Sequence, residues 1–321
     1  MPGQLLSRID PMVRLLVAAI LLASFLPIRG EAREVAGWIS NAAIFVLFFL
    51  NGLRLSRTDV LRGMRHMRFL FPLALWCFGA MALAGVGIAA VGAGHLPPLI
   101  ALGFVFLGTL PSTVQSATAY TSMANGNVAN SVVAAATLNI TGIFLTAPLF
   151  SLLAGVEEVA LGLDGLIRIG LVLLLPFVIG QLLQGKLGGA MKDHPIVIRW
   201  ADRGAIAIAV YVAFSGAVAE GLWSRIDASA WGWLMLAITA LLVFGYVGTW
   251  LLSGALGLSL PDRIAFLFSG AQKSVAMGAP IATVLFPPAV AGVVLVPLLV
   301  YHLAQLVVAT PLAKRLAIPP E

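Results

Sequence analysis

Charge is what this sequence has least of. Only 10% of its 321 residues are Asp, Glu, Lys or Arg, 60% are apolar, and mean hydropathy is strongly positive. A soluble domain of this size needs far more charge to keep its surface in water, so that class is excluded. Strand-like alternation of polar and apolar residues is also missing, which argues against a transmembrane β-barrel. The one cysteine, Cys77, lies inside an apolar run. No intramolecular disulfide can form, the thiol reads as core packing, and the redox compartment stays open.

Other absences narrow the function. No solenoid-type repeat of short period is present. Ser-Gly pairs occur at Ser215, Ser253 and Ser269 but never within a Gly-x-Ser-Gly nucleophile motif, and no His/Asp cluster accompanies them. Lys273 and Ser274 are adjacent, so on a helix they point about 100° apart and make a poor Ser-Lys dyad. An enzyme is therefore not expected. A non-transporting regulator acting through partner proteins is the alternative to a transporter, yet the large soluble domain that would mark one is absent. The net charge of +6 comes from basic residues scattered through short connections rather than along one face, so no nucleic-acid partner is expected.

What is present is a series of long apolar runs. Crossing about 30 Å of hydrocarbon takes about 20 helical residues, and the sequence predicts ten spans near 11–27, 35–53, 69–91, 98–122, 127–154, 161–184, 202–220, 229–258, 262–286 and 288–313. The first, Met12 to Leu26, has the look of a signal peptide. It ends in Pro27-Ile28-Arg29 without a small-residue cleavage site and reads instead as the first span. With the N-terminus in the cytoplasm, Arg54, Arg57, Arg62, Arg65, Arg68, Lys186, Lys192, Arg199, Arg203, Arg263, Lys314 and Arg315 all fall inside. Arg29, Arg33, Arg168 and Arg225 fall outside with Glu157, Glu158 and Asp164. The positive-inside rule then places both termini in the cytoplasm of a multi-pass protein of the cell membrane.

The two halves, 1–154 and 155–321, echo each other. Span five ends Thr146-Ala147-Pro148-Leu149 and span ten ends Ala309-Thr310-Pro311-Leu312, an alignment that sets Asn139 opposite His302. Asn51-Gly52 in span two answers Ser215-Gly216 in span seven, and Gln115-Ser116 in span four answers Gln272-Lys273-Ser274 in span nine. Five helices per half force opposite orientations, so the echoes predict an inverted five-plus-five repeat within one all-α integral membrane unit.

Polar residues inside the spans mark the candidate site. Span four carries Pro111, Ser112, Thr113, Gln115, Ser116 and Thr118. Its proline removes a backbone donor and should kink or unwind the helix, freeing carbonyls that join the side-chain oxygens as ligands for a cation or polar substrate. A proline kink patched by its own hydroxyls is the structural alternative. Span nine carries Ser269, Gln272, Lys273 and Ser274. Lys273 lies ten residues from Arg263, about 15 Å at helical rise, which is too deep to snorkel. A lysine there costs about 2.5 to 3.5 kcal/mol on insertion and normally faces a polar interior. It is the one midplane charge in the sequence, and it reads either as a fixed cation that attracts an anionic substrate group or as a group that takes up and releases a proton during a cycle. Asp202 and Glu220 read as helix-end residues, so no carboxylate relay or carboxylate-anchored sodium site is visible. Asn139 belongs to a polar stripe on span five. His302, with Gln305, forms a smaller one on span ten, as a proton carrier or an interhelical hydrogen bond.

At these residues the sequence resembles the bile acid:sodium symporter superfamily, in particular the divergent branch that includes sodium/bile acid cotransporter seven. The resemblance spans essentially the whole chain. It is carried by Pro111 to Ser116, Asn125-Gly126-Asn127, Phe268 to Pro280 and Val296 through His302 to Gln305. It implies a panel of helices one, two, six and seven, a core of three to five and eight to ten, and broken helices four and nine that cross at the midplane. It also implies a secondary transporter of a small organic anion in the lipid bilayer, with no organic cofactor. Sodium-coupled members carry a glutamate four residues before the span-nine glutamine, followed by asparagine. Here those positions are Phe268 and Lys273, which puts the usual sodium pair in doubt and leaves the lysine ammonium to take a sodium ion's space and charge. Substrate identity, the coupling ion, the direction of transport and oligomeric state are not written in the residues.

Overall fold

The computed structural model describes residues 10–54, 66–155, 170–224 and 227–317. Of the charges assigned to loops above, Arg57, Arg62, Arg65, Glu157, Glu158, Asp164, Arg168 and Arg225 lie outside the described residues, as does the side chain of Lys192. The described chain is all α-helix, without strands. In order it forms α1 Pro11–Phe25, α2 Ala32–Arg54, α3 Met67–Val91, α4 Pro98–Thr109, α5 Gln115–Met123 and α6 Val128–Ala154. After these come α7 Leu175–Asp193, preceded by a π turn at Gly170–Leu174, then α8 Pro195–Ala219, α9 Ala228–Ala255, α10 Leu260–Ala271, α11 Val275–Leu285 and α12 Pro288–Leu316. Six of the described helical stretches are long and apolar enough to cross a bilayer: α2, α3, α6, Gly170–Gly189, α9 and α12. α1 and α4 are shorter apolar helices.

The helix starts follow local chemistry. Asp10 caps α1 by accepting the Met12 amide at 2.6 Å, with Pro11 at the first helical position, where a missing N–H costs nothing. Asn127, Asp227 and Ser259 cap α6, α9 and α10 in the same way. The sequence starts span seven near residue 202 because of the charges before it. Pro195 starts α8 seven residues earlier, so the charges ride its opening turns. Asp202 therefore sits in the body of α8 rather than at its end, 8% exposed and paired with Arg54 at 2.5 Å.

The chain divides into two compact units. One holds Met1–Arg54, Gly162–Arg225 and Ala279–Val293. In it α2 packs on α7 and α8, and α8 on α1. Gly52 and Gly180 let α2 and α7 approach until a side chain at either would overlap the other's backbone, and Gln181 Nε2 donates to the Gly52 carbonyl at 2.5 Å. The other holds Leu55–Leu161, Ile226–Gly278 and Val294–Glu321. Gly108 seats α4 on α3, because a Cβ there would lie 2.6 Å from the Met81 carbonyl. Phe69, Leu73, Cys77, Leu138 and Phe266 bury a shared core among α3, α6 and α10.

Asn125, in the left-handed region at φ 52°, turns the chain between α5 and α6. Asn127 and Asn130 then both donate to Asp262 Oδ1 at 2.8 Å, and the Asn127 amide donates to the Pro261 carbonyl at 2.9 Å. This clip fixes the start of α10 relative to the start of α6.

Candidate functional site

Two non-helical linkers, Leu110 to Val114 and Gln272 to Ser274, lie in the same unit. The first follows from Pro111. A residue before proline is driven out of the helical region, and Leu110 is extended at ψ 150°, so α4 stops at Thr109. The pyrrolidine ring rests on Gly142 of α6, where a Cβ would come within 2.7 Å of it. The second linker contains no proline. Gln272 is extended at ψ 144° and α10 ends at Ala271.

Every carbonyl from Gly108 to Ser112 has a donor. Lys273 Nζ donates to the Gly108 and Leu110 carbonyls at 2.8 and 2.7 Å. Thr146 Oγ1 donates to Thr109 at 3.1 Å, the Ser274 amide to Pro111 at 3.0 Å, and Asn139 Nδ2 to Ser112 at 3.0 Å. The last two tie the first linker to the second and to α6. Buried backbone groups must find partners, and here the partners come from two other parts of the chain, α6 and the second linker.

Lys273 is completely buried, and its third donation is to the Cys77 carbonyl at 2.9 Å. That carbonyl is free because α3 carries a π turn at Trp76–Ala80. The Met81 amide bonds back to Trp76 rather than to Cys77, its partner in a regular α-helix. An ammonium has three N–H donors, and all three are committed. The C-terminal end of α4 adds the negative pole of a helix dipole to this carbonyl cage.

Gln272, also fully buried, accepts from Thr113 Oγ1 at 2.7 Å and Ser116 Oγ at 2.6 Å, and Tyr246 donates to the Gln305 carbonyl at 3.2 Å. The Lys273 peptide is held by the side-chain amide of Gln305. Lys273 N–H donates to Gln305 Oε1 at 2.8 Å, and Gln305 Nε2 donates to the Lys273 carbonyl at 3.1 Å. His302 Nδ1 lies 2.8 Å from the same Nε2. Tyr301 donates to the Ala271 carbonyl at 2.6 Å.

Of the residues singled out by sequence, Pro111, Ser112, Thr113, Ser116, Asn139, Gln272, Lys273 and Ser274 meet at the two linkers. Ser274 also caps α11, accepting the Met277 amide at 3.2 Å. His302 joins through Gln305. Ser269 is fully buried one turn before the second linker, with Cys77 Sγ 3.8 Å from its carbonyl. Thr118 is peripheral, facing Ser131 Oγ at 3.5 Å, and Gln115 is exposed, apart from this network. The residues missed are Tyr246, Tyr301 and the Cys77 carbonyl, with Gln305 noted only as a companion of His302. A carbonyl released by a π turn leaves no mark in the residue alphabet.

The profile of the SBF-like CPA transporter family matches residues 10–318. The chain belongs to that family. It is 39% identical over 303 residues to "Uncharacterized protein PA2026" of Pseudomonas aeruginosa, covering 94% of this chain and 91% of that one. It is 36% identical over 310 residues to "Putative symporter YfeH" of Escherichia coli, covering 96% and 92%. Mouse sodium/bile acid cotransporter 7 is 22% identical over 287 residues, covering 84% and 80%. Family membership and the apolar helices make the chain a multi-pass membrane protein of a transporter family, and the family is not one of enzymes.

Proposed function

We propose that this family member is a secondary active transporter of a small organic anion that works by alternating access around its two linkers, with the Lys273 ammonium in place of a coupling sodium ion. The observation that carries the reading is the cage around Lys273: one fully buried cation, three backbone carbonyls, and no donor left over. Oxygen-only coordination of a compact cation is what a sodium site offers, and an ammonium satisfies it without an ion from solution. The anion belongs elsewhere, since Lys273 has no proton to give it. The N-terminal turns of α5 and α11 carry partial positive charge beside the linkers and suit a carboxylate or similar group. The names of the mouse and Escherichia coli relatives, a sodium/bile acid cotransporter and a symporter, support transport of a solute.

In this reading α4 with α5, and α10 with α11, are the halves of two interrupted transmembrane helices, the fourth and ninth of ten in an inverted five-plus-five repeat. Support comes from a buttress in each half: Asn139 of α6 holds the first linker, and Gln305 of α12, one turn after the His302 that the repeat sets opposite Asn139, holds the second. The panel of this reading is α1, α2, α7 and α8, which share one compact unit, although that unit also takes Ala279–Val293 from α11 and α12. Both termini are then cytoplasmic. The test is uptake of a panel of labelled organic anions into proteoliposomes. Uptake is expected to be saturable and unchanged when potassium replaces sodium. Lys273→Met removes the charge and Lys273→Arg replaces a compact ammonium by a planar fork, and both are expected to insert yet abolish uptake. Wild-type uptake by folded Lys273→Met would overturn the proposal.

A further inference from the structure

The Gln305 amide has a determined orientation. Its Oε1 accepts the Lys273 N–H, so its Nε2 must supply both remaining contacts, donating one hydrogen to the Lys273 carbonyl and the other toward His302 Nδ1. An Nδ1 that receives a hydrogen bond carries no proton. His302 is thereby fixed as the neutral tautomer with its hydrogen on Nε2. Adding a proton at Nδ1 sets two donors face to face at 2.8 Å. Rotating the Gln305 amide by 180° relieves that conflict only by turning its NH2 toward the Lys273 N–H and its oxygen toward the Lys273 carbonyl, which breaks both bonds to the linker.

We infer that His302 and Gln305 act as a positioning pair in which proton uptake by His302 releases the Gln305 clamp from the peptide of Lys273. The linker is then held by the ammonium, the Tyr301 hydroxyl and the Ser274 to Pro111 bond. The device deepens the proposed function by assigning a regulatory proton to the same linker, and it rests on that reading only for its consequence in transport. Titratable groups near the pair include Lys273, whose ammonium is turned to its carbonyl cage, and three tyrosines. Tyr246 of α9 donates to the Gln305 carbonyl at 3.2 Å, Tyr120 of α5 donates to the Leu306 carbonyl at 3.2 Å, and Tyr301 of α12 donates to the Ala271 carbonyl.

The test reads hydrogen bonding rather than transport. The chain contains four histidines, so nitrogen-15 NMR of the histidine-labelled full-length protein in lipid nanodiscs, with His302→Gln to assign the signal, reports the state of each ring nitrogen directly. At neutral pH, His302 is expected to show an unprotonated Nδ1 and a protonated Nε2. Gln305→Glu presents an acceptor to the ring in place of a donor and is expected to move the proton to Nδ1. Hydrogen exchange of the segment 272–278, normalised to the unfolded chain at each pH, is expected to rise in step with His302 protonation, with no such step in His302→Gln. A protonated Nδ1 in the wild type, an unchanged tautomer in Gln305→Glu, or linker exchange indifferent to His302 protonation would overturn the inference. Loss of the transport proposal alone would leave these signals untouched.

Discussion

At the scale of single residues, donor and acceptor numbers match at the buried lysine. Three carbonyls meet three N–H groups at Lys273, so truncation to methionine leaves three buried acceptors without donors. Each such orphan costs about 1 to 3 kcal/mol, and the thermal midpoint of Lys273→Met in detergent is expected to fall by many degrees although the chain still inserts. A midpoint equal to that of the wild type would mean that the carbonyls have other partners. Gln272→Ala is milder, because Thr113 and Ser116 lie 2.6 Å apart and can bond to each other. A loss of about 1 kcal/mol is expected, read as a small shift in the same melt. These side chains were legible in the sequence because a lysine, a glutamine and hydroxyls are conspicuous in apolar runs. The groups that receive the ammonium were not, since they are backbone atoms exposed by Pro111 in one case and by a π turn in the other, and only the proline is visible in the residues.

At the scale of elements, close packing sets which changes are tolerated. Gly142→Ala would push a methyl into the Pro111 ring at 2.7 Å, and overpacking of this kind typically costs about 1 to 3 kcal/mol. Gly87→Ala on α3 meets open space, is expected to be neutral or slightly stabilising, and serves as the control in the same thermal melts. The helical periods and caps made most element boundaries readable: Pro98, Asn127 and Pro288 begin helices close to where the apolar runs begin. The start of α8 was not readable in that way, because the charges near it look like a loop until Arg54 of another helix supplies a partner for Asp202. Short-range pattern carries no information about a partner so distant in sequence.

At the scale of the whole molecule, the membrane class and the transporter family were already written in composition and in the segments around Pro111, Lys273 and His302. Division into two compact units depends on which helices pack together, and hydropathy does not encode that. The proposed topology makes its own prediction: reporters active only in the cytoplasm, fused at the N-terminus and after Glu321, should both be active, and opposite behaviour at the two ends would rule out an even number of crossings. The central claim is that Lys273 is the built-in cation of the two linkers. It is tested most directly by the thermal midpoints of the wild type and Lys273→Ala in detergent, in sodium and in potassium at matched ionic strength. A ligand that binds only the folded state raises its stability with concentration. The account expects a wild-type midpoint indifferent to sodium, and a lowered Lys273→Ala midpoint that sodium, but not potassium, saturably raises as the ion enters the vacated carbonyl cage. Saturable stabilisation of the wild type by millimolar sodium, with no sodium response in Lys273→Ala, would contradict it.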